Sequence, residues 1–357
     1  MDLNTFPAER LEGRVLRSGW TIDQKILRPA GATGGNFGVS YFASRGQTRA
    51  FVKAIDFRRA FGEADFIQAL NQLTGHILWE RSLMEFCRGE AMSRVVTLLD
   101  YEDIILEEDQ GDQTKKICCF VFEIGEGDLR RKFDFSNAPL NSWRLSVLRD
   151  VALALDQLHR RGIAHLDVKP SNVISLESTI ENSNIMKLGD LGRSIRRDVA
   201  GPFDDLGWPG DTQYAPPEKW YRHKCSNWRD ERESADAYQL GSIFVFLYAG
   251  ISLNDMIFAE LPNQFHPYRY NGEFDNDLIS VLKQAITKSL TLRVFPELPA
   301  QIKLELQEIL LELTAPDPKK RGDKSARRQG IVGIDRYHQK FFRLAKRMAI
   351  EERRVPA

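Results

Sequence analysis

Apolar residues in the first third of the chain tend to alternate with polar ones; further along they recur every three or four positions. Residues 21–27 alternate loosely, and 38–43 and 50–55 are mainly apolar runs on either side of a polar turn at Arg45-Gly46-Gln47. A glycine-rich stretch lies between the first two runs. The order predicted is strand, glycine loop, strand, hairpin, strand. Over 57–89 the spacing becomes helical, through Phe66, Leu70 and Leu73 and then Leu78, Leu83, Met84 and Phe86, with Gly75 expected to separate two helices. Strand character returns over 95–99 and 117–124, and the acidic stretch 107–113 between them predicts an exposed hairpin loop.

From Leu129 onward the pattern is mostly helical. Residues 143–161 place Leu145, Leu148, Val151, Leu155 and Leu158 at helical spacing, with Gly162 as the C-cap. Residues 234–249 are apolar on nearly every side and predict the most buried helix. Residues 301–313 are amphipathic and stop at Ala315-Pro316-Asp317-Pro318. No internal repeat or low-complexity segment is visible. The expected fold class is α+β: a small antiparallel-sheet half with a helix, joined around 125–128 to a larger, mainly helical half.

Composition narrows the function. A chain of 357 residues is long for one core and comfortable for two lobes. Fifty basic and fifty acidic side chains give a formal net charge of zero, so bulk electrostatics do not favour a polyanion, and nucleic acid is not expected as a partner. MDLNTFPAERLEGR is charged and has no apolar core, so it does not read as a secretory signal. No apolar run reaches the roughly 18 residues of a membrane span; residues 240–251 come nearest and read as a buried helix. Cys87, Cys118, Cys119 and Cys225 lack metal-ligand spacing and read as reduced, small hydrophobes of a cytoplasmic protein. The stretch from Lys319 carries thirteen Lys or Arg against four acids, while Tyr337, Phe341, Leu344 and Met348 share one helical face. That pattern predicts a helix packed on the larger half with a solvated basic side.

The candidate chemistry lies in His165-Leu166-Asp167-Val168-Lys169-Pro170-Ser171-Asn172 and in Gly189-Asp190-Leu191-Gly192. Phosphoryl transfer needs one carboxylate to orient a hydroxyl, a second carboxylate with an amide oxygen for a metal ion, and a cation on the transferring phosphate. The spacing of Asp167 and Asn172 lets one short loop aim the first at an acceptor and the second at a metal. On the residues alone, Gly34-Gly35-Asn36-Phe37-Gly38 reads first as a hairpin turn and Lys53 first as a solvated edge lysine, while 120–129 reads equally as a strand followed by a turn.

The first of these motifs resembles the catalytic loop H-R-D-x-x-x-x-N of the eukaryotic-type, or Hanks-type, serine/threonine protein kinases, and the second their D-F-G turn. Further marks resemble the family in order and spacing. Tyr214-Ala215-Pro216-Pro217-Glu218 is similar to the A-P-E end of the activation segment. Asp236-Ala237-Tyr238-Gln239-Leu240-Gly241 is similar to the start of the central helix, and Asp317-Pro318-Lys319-Lys320-Arg321 to the D-P-x-x-R near the domain end. The resemblance implies a bilobal domain over 20–350 after a lead-in of 1–19, with an N-lobe of about 20–124, a hinge of about 123–128 and a C-lobe of about 129–350. It also implies transfer of the γ-phosphate of ATP, bound with Mg²⁺ or alternatively Mn²⁺, to a Ser or Thr hydroxyl of a protein substrate. No oligomeric state is implied.

Carried onto this sequence, the resemblance makes Asp167 the residue that orients the acceptor and Lys169 the cation on the γ-phosphate. Asn172 and Asp190 become the metal ligands. Gly35, Phe37 and Gly38 would cover the phosphates. Lys53 would hold them, paired with Glu80 of an E-x-x-L pattern or alternatively with Glu85. Glu123 and the Gly125 backbone would face adenine, and Asp128 would reach the ribose. Arg321 should pair with Glu218. The sequence departs from the family at Thr33, where the first loop glycine belongs, at Ser40, and at Leu166, where the common arginine would read an activation-segment phosphate. It departs again before Tyr214, where Thr212 stands one residue late and is expected to act through a shifted register. Two other readings are a pseudokinase binding module and, less well supported, a small-molecule phosphotransferase.

Overall fold

The computed structural model describes residues 6–27, 38–112, 115–133, 139–178 and 183–354. The chain forms two compact units, Met1–Glu126 and Gly127–Ala357.

In the first unit the described strands are β1 (Thr21–Lys25), β2 (Val39–Arg45), β3 (Thr48–Asp56), β4 (Leu98–Ile104) and β5 (Ile117–Glu123), with one long helix, α1 (Phe66–Gly89). They form an antiparallel sheet in the order β1-β2-β3-β5-β4. Period-2 alternation decides what each face carries. Ala50, Val52 and Ala54 of β3 join Tyr41, Ala43, Cys119 and Val121 in one buried core. Lys53, between them in sequence, therefore points to the opposite face, in register with Ser40 on one side and Phe120 on the other.

Residues ahead of β1 complete that core. Leu11, Leu16 and Trp20 are buried in it, and Tyr41 donates its hydroxyl to the Ala8 carbonyl at 2.6 Å. The acidic stretch after 107 links the antiparallel strands β4 and β5 and is exposed at Glu107, Glu108, Gln110 and Gly111, with one departure at Asp109. Glu107–Asp109 is a short 3-10 turn in which Asp109 is buried, bonded to Arg10 and, at 2.7 Å, to Lys115. Burial works against its charge, but Lys115 and Arg10 outweigh it and hold the carboxyl below its ordinary value.

Two more expectations are corrected here. Gly75 does not divide the helix: α1 runs through it, capped at its start by Asp65, which accepts from the Gln68 amide. One interior glycine costs about 1 kcal/mol. The burial of Ile77, Trp79, Leu83, Met84 and Cys87 along the same helix exceeds that. The strand expected at 95–99 begins instead at Leu98 and runs to Ile104. Val95 and Val96 are buried but lie before the ladder with β5, Val95 in a β-bridge and Val96 outside any strand. All four cysteines are buried and free.

The second unit holds β6 (Gly127–Asp128), α2 (Leu129–Lys132), α3 (Asn141–His159), β7 (Ile163–Ala164), β8 (Val173–Ser178), β9 (Ser183–Leu188), β10 (Ile195–Arg196), α4 (Pro217–Trp220), α5 (Ser234–Ala249), α6 (Leu253–Glu260), α7 (Asn276–Arg293), α8 (Lys303–Leu313), α9 (Lys324–Arg327) and α10 (Ile334–Arg354). Nearly every residue of α5 is buried, and Gly250 ends it in the left-handed region at φ 71°. Gly162, at φ 68°, turns the chain from α3 into β7 in the same way. Tyr337, Phe341, Leu344 and Met348 form the buried face of α10, which joins the core around α3 and α5. Among the described residues no single helix is long and apolar enough to cross a membrane.

Candidate active site

In the first unit, Lys53 Nζ lies 2.8 and 2.9 Å from the two carboxylate oxygens of Glu80. Glu80 is buried on the inner face of α1. Glu85, five residues on, lies on another face, where it accepts from Arg81 Nε at 2.9 Å and is partly exposed. Gly38 approaches β3 closely: a Cβ there would stand 3.0 Å from the Ala54 carbonyl and 3.3 Å from Lys53 Cγ. Gly35 and Phe37 lie outside the described residues. Glu123 ends β5, its carboxylate accepting from the Thr97 amide at 2.6 Å, and Gly125 follows outside any helix or strand.

Lys53→Ala strands a buried carboxylate, and Glu80→Ala leaves the lysine without its anchor. Either change should remove most phosphoryl-transfer activity, whereas Glu85→Ala should leave it within about twofold, because an exposed i,i+4 pair contributes roughly 0.3–0.5 kcal/mol. Initial rates of the three variants check this ranking. A larger loss from Glu85→Ala than from Glu80→Ala would reverse it.

In the second unit, Asp128 is held as the N-cap of α2, accepting from the Arg131 amide at 3.0 Å. The loop after β7 hangs from the first turns of α5. The fully buried Asp236 accepts from the His165 amide at 2.9 Å and the Leu166 amide at 2.7 Å. Gln239 accepts from the Val168 amide at 3.0 Å and donates to the Leu166 carbonyl at 3.2 Å. These bonds hold Leu166 at φ 63°, a conformation that costs a non-glycine residue about 1–2 kcal/mol. His165 is buried and structural. Its Nδ1 accepts from the Asp167 amide at 3.3 Å while Nε2 lies 3.1 Å from the Gly189 carbonyl, which requires the neutral ring protonated at Nε2.

That scaffold fixes Asp167. One carboxylate oxygen accepts from the Asp211 amide at 2.8 Å. The other lies 3.1 Å from Lys169 Nζ and accepts from Asn172 Nδ2 at 3.2 Å. Burial, and secondarily the charge of Asp190, raise its proton affinity above that of an ordinary aspartate, while Lys169 and the Asp211 amide oppose them. Lys169 bridges Asp167 and Asp211, the second at 3.3 Å. Burial alone would lower its pKa, but the two carboxylates raise it and keep the ammonium charged.

Asp190 stands in the left-handed region, at φ 59° and ψ 70°. It is exposed, and the buried Leu191 follows it. The Asn172 carbonyl accepts from the Gly189 amide at 2.9 Å, so the loops carrying Asn172 and Asp190 are clamped together. Asn172 spends its amide N–H on the Asp167 carbonyl at 2.8 Å as well as on the carboxylate, leaving its amide oxygen as the available donor atom. Among the described residues no cluster of three or more His, Cys, Asp or Glu could hold a metal by itself. One carboxylate and one amide oxygen suit a hard cation that takes its remaining ligands from water and phosphate.

The segment before α4 brings one residue that the sequence reading missed. Thr212 is exposed and does not contact the catalytic pair in the way expected of it; Asp211 does. The available signal was position, since Asp211 follows Gly210 and precedes Tyr214 by three residues, where the family carries its threonine. Gly210 permits the contact. A Cβ there would sit 2.0 Å from the Leu166 carbonyl, so only glycine lets this segment lie against the catalytic loop. Further along, Arg321 meets Glu218 in two parallel bonds of 2.8 and 2.7 Å, both side chains fully buried.

A sequence comparison decides the family. The family model described as "Protein kinase domain" matches residues 35–326. The chain belongs to the protein kinase domain family. Its curated relatives include the serine/threonine-protein kinase ELM1 of Saccharomyces cerevisiae, 27% identical over 46% of this chain and 27% of that protein. The Wee1-like protein kinase of Oryza sativa subsp. japonica is 32% identical over 33% of this chain and 20% of its own length. The serine/threonine-protein kinase ArnS of Sulfolobus acidocaldarius is 28% identical over 49% and 28%. The chain thus aligns with under a third of the length of each of these relatives. Within the family, the sheet-and-helix first unit and the mainly helical second unit are the expected α+β organisation.

Proposed function

We propose that this chain is a serine/threonine protein kinase that transfers the γ-phosphoryl group of ATP to a protein hydroxyl. The observation that carries this reading is the arrangement around Asp167: a buried carboxylate gripped by the Asp211 amide, Lys169 and Asn172, beside a clamped loop that presents Asp190. Phosphoryl transfer passes through a loose transition state, so positioning and charge stabilisation supply most of the rate. Asp167 orients the acceptor hydroxyl and takes its proton as the bond to phosphorus forms. Its raised proton affinity suits that role, and transfer should fail as pH falls through the raised pKa. Lys169 has three N–H donors. Two serve Asp167 and Asp211, and the third is left for the transferring phosphoryl group. Lys53, fixed by Glu80, would hold the α- and β-phosphates.

Asp190 and Asn172 would hold Mg²⁺ or Mn²⁺, which supplies charge neutralisation on the phosphates when bound. Glu123 and Gly125 would meet adenine through backbone groups, and Asp128 the ribose through the oxygen not used in capping α2. Lys169-Pro170 supports Ser or Thr over Tyr as acceptor. A pseudokinase reading is not favoured, because Lys53, Asp167, Lys169, Asn172 and Asp190 are all present. The small-molecule alternative is disfavoured by Glu218–Arg321 and the segment they secure.

Incubation with radiolabelled ATP, Mg²⁺ and a mixture of protein substrates tests the assignment. Phosphoserine or phosphothreonine should appear in the acid hydrolysate of the proteins. Label confined to tyrosine or to small molecules would overturn it.

A further inference from the structure

Opposite its buried face, α10 carries an outer face of cations. Arg343, Lys346, Arg347, Arg353 and Arg354 are all exposed. Two apolar side chains stand among them, Phe342 at 40% and Ile350 at 54% exposure. At about 100° per residue, Phe342, Lys346, Ile350 and Arg353 fall within about 80° of one another around the helix. Lys346 Nζ lies 4.3 Å from the centre of the Phe342 ring, so ammonium and ring share that surface. The acids nearby are committed elsewhere or to single cations. Glu351 pairs with Arg354 at 3.3 Å, and Glu305 of α8 with Arg347 at 3.0 Å. Glu352 accepts from the Ser142 amide at 3.1 Å. Asp335, in the first turn of α10, acts on Arg160, just past α3. Among the described residues Arg343, Lys346 and Arg353 form no ion pair. Arg343 also stands three and four positions from Lys346 and Arg347, a spacing at which like charges destabilise a helix. The chain as a whole balances fifty cations with fifty acids, so this imbalance is local.

An anionic surface would offset that repulsion, and the two apolar side chains decide which kind. The phosphates of a nucleic acid would meet the cations but leave Phe342 and Ile350 in water. A bilayer of acidic phospholipid meets both: its headgroups pair with the cations, and the upper acyl chains receive Phe342 and Ile350. From Phe342 to Arg353 the helix rises about 17 Å, a length over which one flat surface reaches the whole stripe. We propose that the outer face of α10 rests on a membrane surface rich in anionic phospholipid. The contact is peripheral, because α10 keeps its apolar face in the protein core. It uses none of the residues assigned to phosphoryl transfer, and its test reads binding alone.

The full chain is sedimented with vesicles of phosphatidylcholine alone and with vesicles of equal parts phosphatidylserine and phosphatidylcholine, at rising salt. It should bind the acidic vesicles only, and salt should release it. Each cation at such a surface contributes about fivefold in affinity, so Arg343→Gln, Lys346→Gln and Arg353→Gln together should weaken binding roughly a hundredfold. Removing the same charge elsewhere, by Arg17→Gln, Lys288→Gln and Lys320→Gln, should leave binding within about twofold. Phe342→Ser with Ile350→Ser should weaken it with every charge in place. The altered side chains on α10 are exposed, so melting curves should match the parent; should the glutamine variant melt early, the serine pair carries the test. No binding to acidic vesicles, equal binding to neutral ones, equal weakening by the two glutamine triples, or indifference to the serine pair would overturn the proposal. Binding of a duplex oligonucleotide but not of vesicles would overturn it too and assign the face to nucleic acid.

Discussion

Asp190→Ala should abolish phosphoryl transfer, by at least about a thousandfold, without destabilising the nucleotide-free protein. A thousandfold is about 4 kcal/mol of transition-state stabilisation, a plausible share for a metal-ion ligand in a reaction dominated by charge. Stability should hold because the carboxylate is exposed, and because its charge works against the ionised form of Asp167. The backbone at φ 59° is a left-handed position, which a non-glycine residue keeps only where the surroundings enforce it; the Asn172–Gly189 bond and the buried Leu191 do so. Transfer rates with Mg²⁺ and melting curves without nucleotide are the two measurements. Retained transfer would remove Asp190 from the metal site, and a large loss of stability would make its role structural.

Arg321→Ala should produce the largest loss of stability, about 3–5 kcal/mol. Arg321 forms more than an ion pair. Besides Glu218 it satisfies the carbonyls of Ala315, Pro316 and Ser234 at 2.8, 3.1 and 3.3 Å, and its guanidinium lies 5.1 Å from the Tyr238 ring centre. Truncation leaves Glu218 charged and buried with no counter-ion. For a unit of this size the melting temperature should fall by on the order of 10 °C. Arg321→Lys should recover only part, because an ammonium cannot reproduce the planar fork. The paired change Glu218→Gln with Arg321→Met should lie above Arg321→Ala, since it removes the stranded charge. Because Glu218 ends the segment that bears Gly210 and Asp211, activity should fall in each variant along with stability.

What the sequence disclosed followed from how local each signal was. The limits of α5 were legible because 234–249 is apolar on nearly every side and a glycine follows. The Lys53–Glu80 pairing and the Glu218–Arg321 pairing were legible only through resemblance, since nothing in spacing brings residues 27 or 103 positions apart together. Gly75 misled because the propensity of one residue was weighed against tertiary burial that only the fold supplies. At 95–99 the strand was placed too early because apolarity at Val95 and Val96 reports burial more strongly than it reports where the ladder with β5 begins. Asp109 read as solvated because its partner Arg10 lies 99 positions away. Thr212 was favoured for its hydroxyl. Its neighbour Asp211 makes the contact because Gly210 lets the backbone lie against Leu166, a steric fact that spacing does not encode.

Asp167→Asn tests the central claim most directly. Asparagine keeps the shape and can still accept from the Asp211 amide, but it can neither take a proton nor pair ionically with Lys169. With equal nucleotide binding, single-turnover transfer to a Ser/Thr protein substrate should fall by roughly 10²–10⁴-fold, the share of a positioned general base. Transfer at the unaltered rate, with the product still phosphorylated on Ser or Thr, would contradict the assignment of Asp167 as the residue that orients the acceptor.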